Sequence, residues 1–203
     1  MFGLTKTELR ILKRLHTPQK IQDFLNTLSI NFEKNGETLL SPRKVLKERK
    51  AHCIEGALLA ALALWINGKE PLIMDFATTP DDEFHVIAPF TIHGYWGAIS
   101  HTNHATLRYR DPIYRTPREL AMSYFHEFIH YTNGKKTLRS YSNPFNMKKL
   151  GSSWITSEED LWNLEKMLDT LPHFDVIPKK NRKLIRPADP IERRIGAITQ
   201  WKK

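Results

Sequence analysis

Along the first half of the chain, apolar residues recur at helical spacing. Leu9, Ile11, Leu12 and Leu15 share one face of the segment Lys6 to Leu15, and Ile21, Phe24, Leu25, Leu28 and Ile30 line the next. Thr17-Pro18 precedes the second segment as an N-cap followed by proline at the first helical position. Ser41-Pro42 repeats that signal ahead of Val45 and Leu46. Asn35-Gly36 between them reads as a turn. From Cys53 to about Ile66 the pattern is different. After Glu55 the run is Ala and Leu with no polar side, which predicts a helix buried on most faces and stopped by Asn67-Gly68.

Beyond Gly68 the elements shorten and become rich in β-branched and aromatic residues. Strands are expected over Leu72 to Phe76, Phe84 to Phe90, Tyr95 to Ser100 and Leu107 to Tyr109, with His93-Gly94 as a hairpin turn. Thr116-Pro117 starts a further helix to about Tyr131, ended by Asn133-Gly134. A last helix is expected from about Ser157 to Leu171, opening on the acidic turn Ser157-Glu158-Glu159-Asp160. The expected class is α+β, with a buried central helix that starts at the cysteine and packs on an antiparallel sheet. Residues 1–177 form the expected domain, with N-terminal helices over 5–30, a core over 42–154 and the last helix. Residues 178–203 form a Pro-containing basic tail.

Charge sharpens that division. The chain of 203 residues carries a net +9. The segment from Pro178 onward holds nine basic residues against two acidic ones, so it supplies +7 and leaves +2 for the body. A basic tail can dock on RNA or another anionic surface, but a charge confined to a tail is the ordinary mark of a solvated end. Nucleic acid is therefore not expected as a partner except through this tail. No apolar run reaches the roughly 18 residues that cross a bilayer, so no membrane partner is expected. Hydrophobic residues make up 40% of the chain, enough for a packed core.

The single cysteine, Cys53, cannot form an internal disulfide, which suits a reducing, cytoplasmic setting. A lone cysteine is commonly a small buried hydrophobe. This one begins the buried helix and follows Arg49, Lys50 and His52. A helix N-terminus and neighbouring positive charge both favour thiolate over thiol. His85, between Phe84 and Val86 on an expected strand, can accept the thiol proton, and Asp111 at the end of a later strand can orient the imidazole. The backbone N–H of Cys53 is one oxyanion donor. His52, Trp96 and Asn103 are the open choices for a second donor or for the wall of a cleft.

The stretches Ala51-His52-Cys53-Ile54-Glu55-Gly56-Ala57, Phe84-His85-Val86 and Arg110-Asp111-Pro112, in that order, resemble the three motif regions of the transglutaminase-like branch of the papain-type cysteine protease superfamily. Trp96-Gly97-Ala98-Ile99-Ser100, Leu107 to Pro112, and Lys136-Thr137-Leu138-Arg139-Ser140-Tyr141-Ser142 resemble a group of uncharacterised bacterial transglutaminase-like proteins. The likeness runs from about Thr17 to Trp154. It implies a papain-like core and a Cys53-His85-Asp111 triad. It also implies cysteine-dependent acyl transfer or hydrolysis of a protein, peptide or other amide through a thioester, without a cofactor.

Two other readings compete. One is a non-catalytic binding module that reuses the fold. The other rests on His126-Glu127-Phe128-Ile129-His130, an H-E-x-x-H match. On a helix it would place two imidazoles one turn apart beside a carboxylate, as a zinc hydrolase requires. The loop Ser100-His101-Thr102-Asn103-His104 adds two more histidines between the expected strands of Trp96 and Asp111, on a possible cleft rim.

Overall fold

In a computed structural model, which describes residues 1–34 and 36–202, helix α4 (Cys53–Ile66) forms the middle of the molecule. From Ile54 to Leu64 its residues are almost completely removed from solvent. Each buried leucine among them contributes about 1.5–3 kcal/mol relative to an exposed one. Glu55, in the first turn, accepts the backbone N–H of His52 at 2.8 Å and so secures the N-cap. The helix ends at Asn67, whose side-chain amide donates to the carbonyls of Leu12, Leu15 and Ala63. Gly68 follows at φ +78°, the left-handed conformation that leaves a helix most cheaply.

Three short helices pack on α4: α1 (Lys6–Arg14), α2 (Pro18–Leu25) and α3 (Pro42–Glu48). The hydroxyls of Thr5, Thr17 and Ser41 each accept an N–H three residues on. The second helix is shorter than its apolar stripe suggested. The chain leaves it after Leu25, and Ser29–Ile30 (β1) pairs in parallel with Lys50–Ala51 (β2) beside the start of α4. The turn expected at Asn35-Gly36 falls, at Asn35, outside the described residues.

On its other side α4 rests on a seven-stranded sheet. Its strands are β3 (Leu72–Ala77), β4 (His85–Ile92), β5 (Tyr95–Ile99), β6 (Arg110–Tyr114), β7 (Ser140–Ser142), β8 (Phe145–Asn146) and β9 (His173–Asp175). The order is β6-β5-β4-β3-β7-β9, with β8 also on β3, and every pair in it is antiparallel. Val86, Ala88 and Phe90 join the core around α4, whereas Ile87 joins a second core on the opposite face. There Leu120 and Tyr124 of α5 (Pro117–Tyr124) pack with Met74, Phe76 and Phe128. A sheet covered on both faces explains why β4 reads as an unbroken apolar run. Among the described residues, no helix is long and apolar enough to cross a membrane.

Several boundaries moved. The strand expected over Leu107 to Tyr109 lies instead at Arg110–Tyr114. The helix expected to reach Tyr131 stops at Tyr124. The last long helix is split into α6 (Ser153–Thr156) and α7 (Trp162–Asp169). The basic C-terminal segment, expected as a solvated end, folds back on the body. It contains a 3-10 turn over Lys179–Leu184 and α8 (Pro190–Gly196). Asp189 caps α8, with its own N–H accepted by Glu192 at 2.6 Å. Ala188 donates to the Gly134 carbonyl, and Gln200 and Trp201 hydrogen-bond to Asn103. Backbone pairing, more than apolar burial, holds this segment, since Ile191, Ile195 and Ile198 stay exposed.

Candidate active site

Cys53 is the first helical residue of α4 and is half-buried. Two imidazoles flank it. Burial pushes its thiol up, but hydrogen bonds and charge from His52 and His85 outweigh burial and bring it down to about 5. At neutral pH the thiolate is therefore the prevailing form.

His52 is held by oxygen acceptors. Its Nε2 donates to the Thr38 carbonyl at 3.0 Å and lies 3.5 Å from Glu55 Oε1 and 3.8 Å from Glu33 Oε1. Burial disfavours the imidazolium, but the Cys53 thiolate, Glu55 and the Thr38 carbonyl outweigh it and raise His52 to about 9. Glu55 is completely buried. Its carboxylate also accepts from Leu40 N at 2.7 Å and from the Asn31 amide, while burial holds its pKa above the ordinary value. Between about pH 5 and about pH 9, His52 and Cys53 thus form an imidazolium–thiolate pair anchored by a buried carboxylate.

His85 opens β4, is buried, and packs edge-on against Phe128 at 6.3 Å. Its Nε2 lies 2.8 Å from the hydroxyl oxygen of Ser100. That hydroxyl has one proton and gives it to the Leu107 carbonyl at 2.5 Å, an oxygen that can only accept. Toward His85 the hydroxyl must therefore accept, so Nε2 carries the hydrogen. Nδ1 is the ring nitrogen that this bond leaves for the Cys53 sulfur. Ser100, and not Asp111, is the side chain hydrogen-bonded to His85.

His101 completes the neighbourhood. It is buried, its Nε2 donates to the Ala51 carbonyl at 3.1 Å, and burial pushes it down to about 4, so it is neutral. Its side chain lies directly on Gly56. A Cβ built there would come within 2.5 Å of the His101 Cβ, so only glycine admits this contact. The backbone N–H of Cys53, at the first helical position, has no intrahelical acceptor and is one donor for an oxyanion.

The structure therefore brings His52, Cys53 and His85 together, with Ser100 and His101 behind them. It does not bring Asp111. That residue is exposed on the edge strand β6, between the pairs Ala98↔Arg110 and Trp96↔Tyr114. Opposite this stretch, Gly97 pairs with Phe90, five residues along β4 from His85. At about 3.4 Å per residue that is about 17 Å away along the strand. Trp96 sits at the same end of β5 and packs with the second core. Asn103 spends its side-chain amide on the Trp201 backbone, accepting at 2.8 Å and donating at 3.1 Å. The surface hollow lined by Lys13, Leu15, His16, Lys20, Asp23 and Phe24 includes none of the site residues.

The H-E-x-x-H segment does not form a metal-binding helix face. α5 ends at Tyr124, before His126, so the four-residue spacing no longer stacks the imidazoles. His126 is exposed, and His130 Nδ1 pairs with the Thr132 hydroxyl at 2.7 Å. Glu127 binds Arg110 at 2.6 Å and accepts Leu107 N at 2.7 Å. Among the described residues, no group of three His, Cys, Asp or Glu side chains could hold a metal ion. In comparison with known proteins, the chain matches no family model and no curated protein.

Proposed function

We propose that this protein is a cysteine-dependent acyltransferase or amide hydrolase, with a papain-like, transglutaminase-like core and Cys53 as the nucleophile. The observation that carries the reading is the setting of the thiol at the start of α4. Two histidines hold it near 5, and one of them has its tautomer fixed by Ser100.

In this reading the proton that Cys53 gave up on forming the thiolate rests on Nδ1 of His85, and the thiolate Sγ bonds to the substrate carbonyl carbon. The Cys53 N–H donates to the resulting oxyanion. The C–N bond then breaks, and the leaving amine takes the proton from Nδ1, leaving a thioester. An incoming water gives a proton to Nδ1 as its oxygen attacks the thioester, the acid forms, and Sγ leaves as thiolate. An incoming amine gives transamidation by the same steps. Hydrolysis is the favoured outcome, because water is the abundant acceptor and Cys53 is only half-buried. His52 takes no proton from the substrate in this cycle. Its role is to be the standing positive charge beside the sulfur. A free thiolate of this kind persists in a reducing setting, which fits a cytoplasmic protein.

p-Nitrophenyl acetate tests the reading, because it acylates an activated thiol without specific recognition. Intact-mass analysis should show one acetyl group, located on Cys53, with release of nitrophenol, and Cys53→Ala should show neither. Absence of acylation in the native chain would leave the non-catalytic binding module as the better reading.

A further inference from the structure

The inference rests on the reading of Cys53 and His85 as nucleophile and base. It concerns Glu127, which the H-E-x-x-H pattern singled out and the zinc geometry left without a role. We propose that Glu127 is a positioning residue for the catalytic histidine, acting through the backbone of Leu107 and the hydroxyl of Ser100.

The contacts form a continuous chain. Glu127 Oε2 accepts the Leu107 N–H at 2.7 Å. The Leu107 carbonyl accepts the Ser100 hydroxyl at 2.5 Å, and that hydroxyl accepts His85 Nε2–H at 2.8 Å. Leu107 itself has φ +60°, the left-handed region, where a leucine is strained. A strained residue persists only where its surroundings overdetermine it. Here the carboxylate on its N–H and the hydroxyl on its carbonyl hold the two ends of the residue. With Leu107 in the ordinary conformation its carbonyl would swing away, the Ser100 hydroxyl would be free to rotate, and the Nε2 partner of His85 would no longer be fixed.

The other oxygen of Glu127 is fixed in turn. Oε1 pairs with Arg110 Nη2 at 2.6 Å, and the Arg110 guanidinium lies 4.0 Å over the Tyr124 ring and bonds Ser123. The brace is thus anchored to α5, beneath the sheet, and reaches the reactive centre from the side opposite α4.

The test is a double-mutant cycle on the turnover of p-nitrophenyl acetate, with circular dichroism melting of each variant. Glu127→Ala and Ser100→Ala should each slow turnover about tenfold, as loss of one positioning hydrogen bond does, and the double variant should be no slower than either alone. Adding Leu107→Gly to Glu127→Ala should recover part of the rate, because glycine adopts the left-handed conformation without the brace. Glu127→Gln, which keeps an oxygen for the Leu107 N–H, should stay within about threefold of the native rate. A multiplicative, roughly hundredfold loss in the double variant would overturn the proposal, since the two residues would then act independently. So would an unchanged rate in Glu127→Ala, or a full loss in a folded Glu127→Gln. Turnover that survives in Cys53→Ala would instead overturn the underlying reading of the site, whatever Glu127 does.

Discussion

Two chains of hydrogen bonds in this molecule have the order nucleophile, imidazole, acceptor, yet they sit in different surroundings. One is Cys53, His85 and Ser100. The other is Ser140, His173 and Asp75, with Ser140 Oγ 3.1 Å from His173 Nδ1 and His173 Nε2 3.3 Å from Asp75 Oδ2. By distance alone the second resembles a serine triad. Its nucleophile, however, lies within a three-residue strand paired on both sides, with β3 and β9, where backbone donors serve the ladder. No helix begins at Ser140, and one oxygen of the buried Asp75 carboxylate lacks a partner. Cys53 has a helix start beneath it, an intrinsically more acidic group, and a second imidazole held as a cation by the thiolate itself, Glu55 and the Thr38 carbonyl. The lesson is that a relay of contacts positions a proton, whereas the local field decides whether a nucleophile is made.

The comparison breaks most sharply at the two histidines. His85→Ala should lower acyl transfer to p-nitrophenyl acetate by about 10²–10⁴, the usual worth of a positioned acid-base group, whereas His173→Ala should leave it within about twofold. Equal losses from the two substitutions would mean that the second chain belongs to the reaction. A smaller effect should come from packing. In Gly56→Ala the new methyl must displace His101, which is held against Ala51. The expected cost is about 1–3 kcal/mol in urea unfolding, together with slower labelling of Cys53. Stability and labelling both unchanged would show that His101 can yield without disturbing the site. The smallest effect is expected at Asp111. Asp111→Asn should change neither turnover nor stability by more than about 0.5 kcal/mol, because the side chain is exposed and remote from His85. A loss near that of His85→Ala would restore the triad implied by the family resemblance.

How much of this was legible in the sequence follows from the range of the interactions. The helix Cys53–Ile66 was readable from Cys53 to about Ile66, because its apolar composition, its position after His52 and its Asn67-Gly68 stop are all local signals. Cys53, His52 and His85 were singled out for the same reason. The strands β7, β8 and β9 were missed. Each is only two or three residues long, too short to show alternation, and exists because neighbouring strands supply the pairing. The helix over His126 to Tyr131 was expected from apolar spacing. Glu127, paired with Arg110 and Leu107, and the Ile129↔Lys136 bridge instead turn the chain away. Ser100 was noticed only as part of a polar loop. Its place behind His85 depends on register across β4 and β5 and on the conformation of Leu107, neither of which has a local signature. The folded C-terminal segment did carry a signal, the capping box Asp189-Pro190-Ile191-Glu192, masked by its surrounding charge.

The most direct measurement of the central claim is the pH dependence of Cys53 alkylation by iodoacetamide, which reports a single site because the chain has one cysteine. The folded-state pKa is depressed, so the reactive thiolate is present at neutral pH and is lost as pH falls through the folded value. The account predicts a second-order rate that climbs through a midpoint near 5 and stays high through neutrality. Above about 9, where His52 gives up its proton, the thiolate loses its charged partner. A single midpoint near the ordinary cysteine value of about 8.5 would contradict it, because Cys53 would then be a plain thiol and the histidines around it merely neighbours.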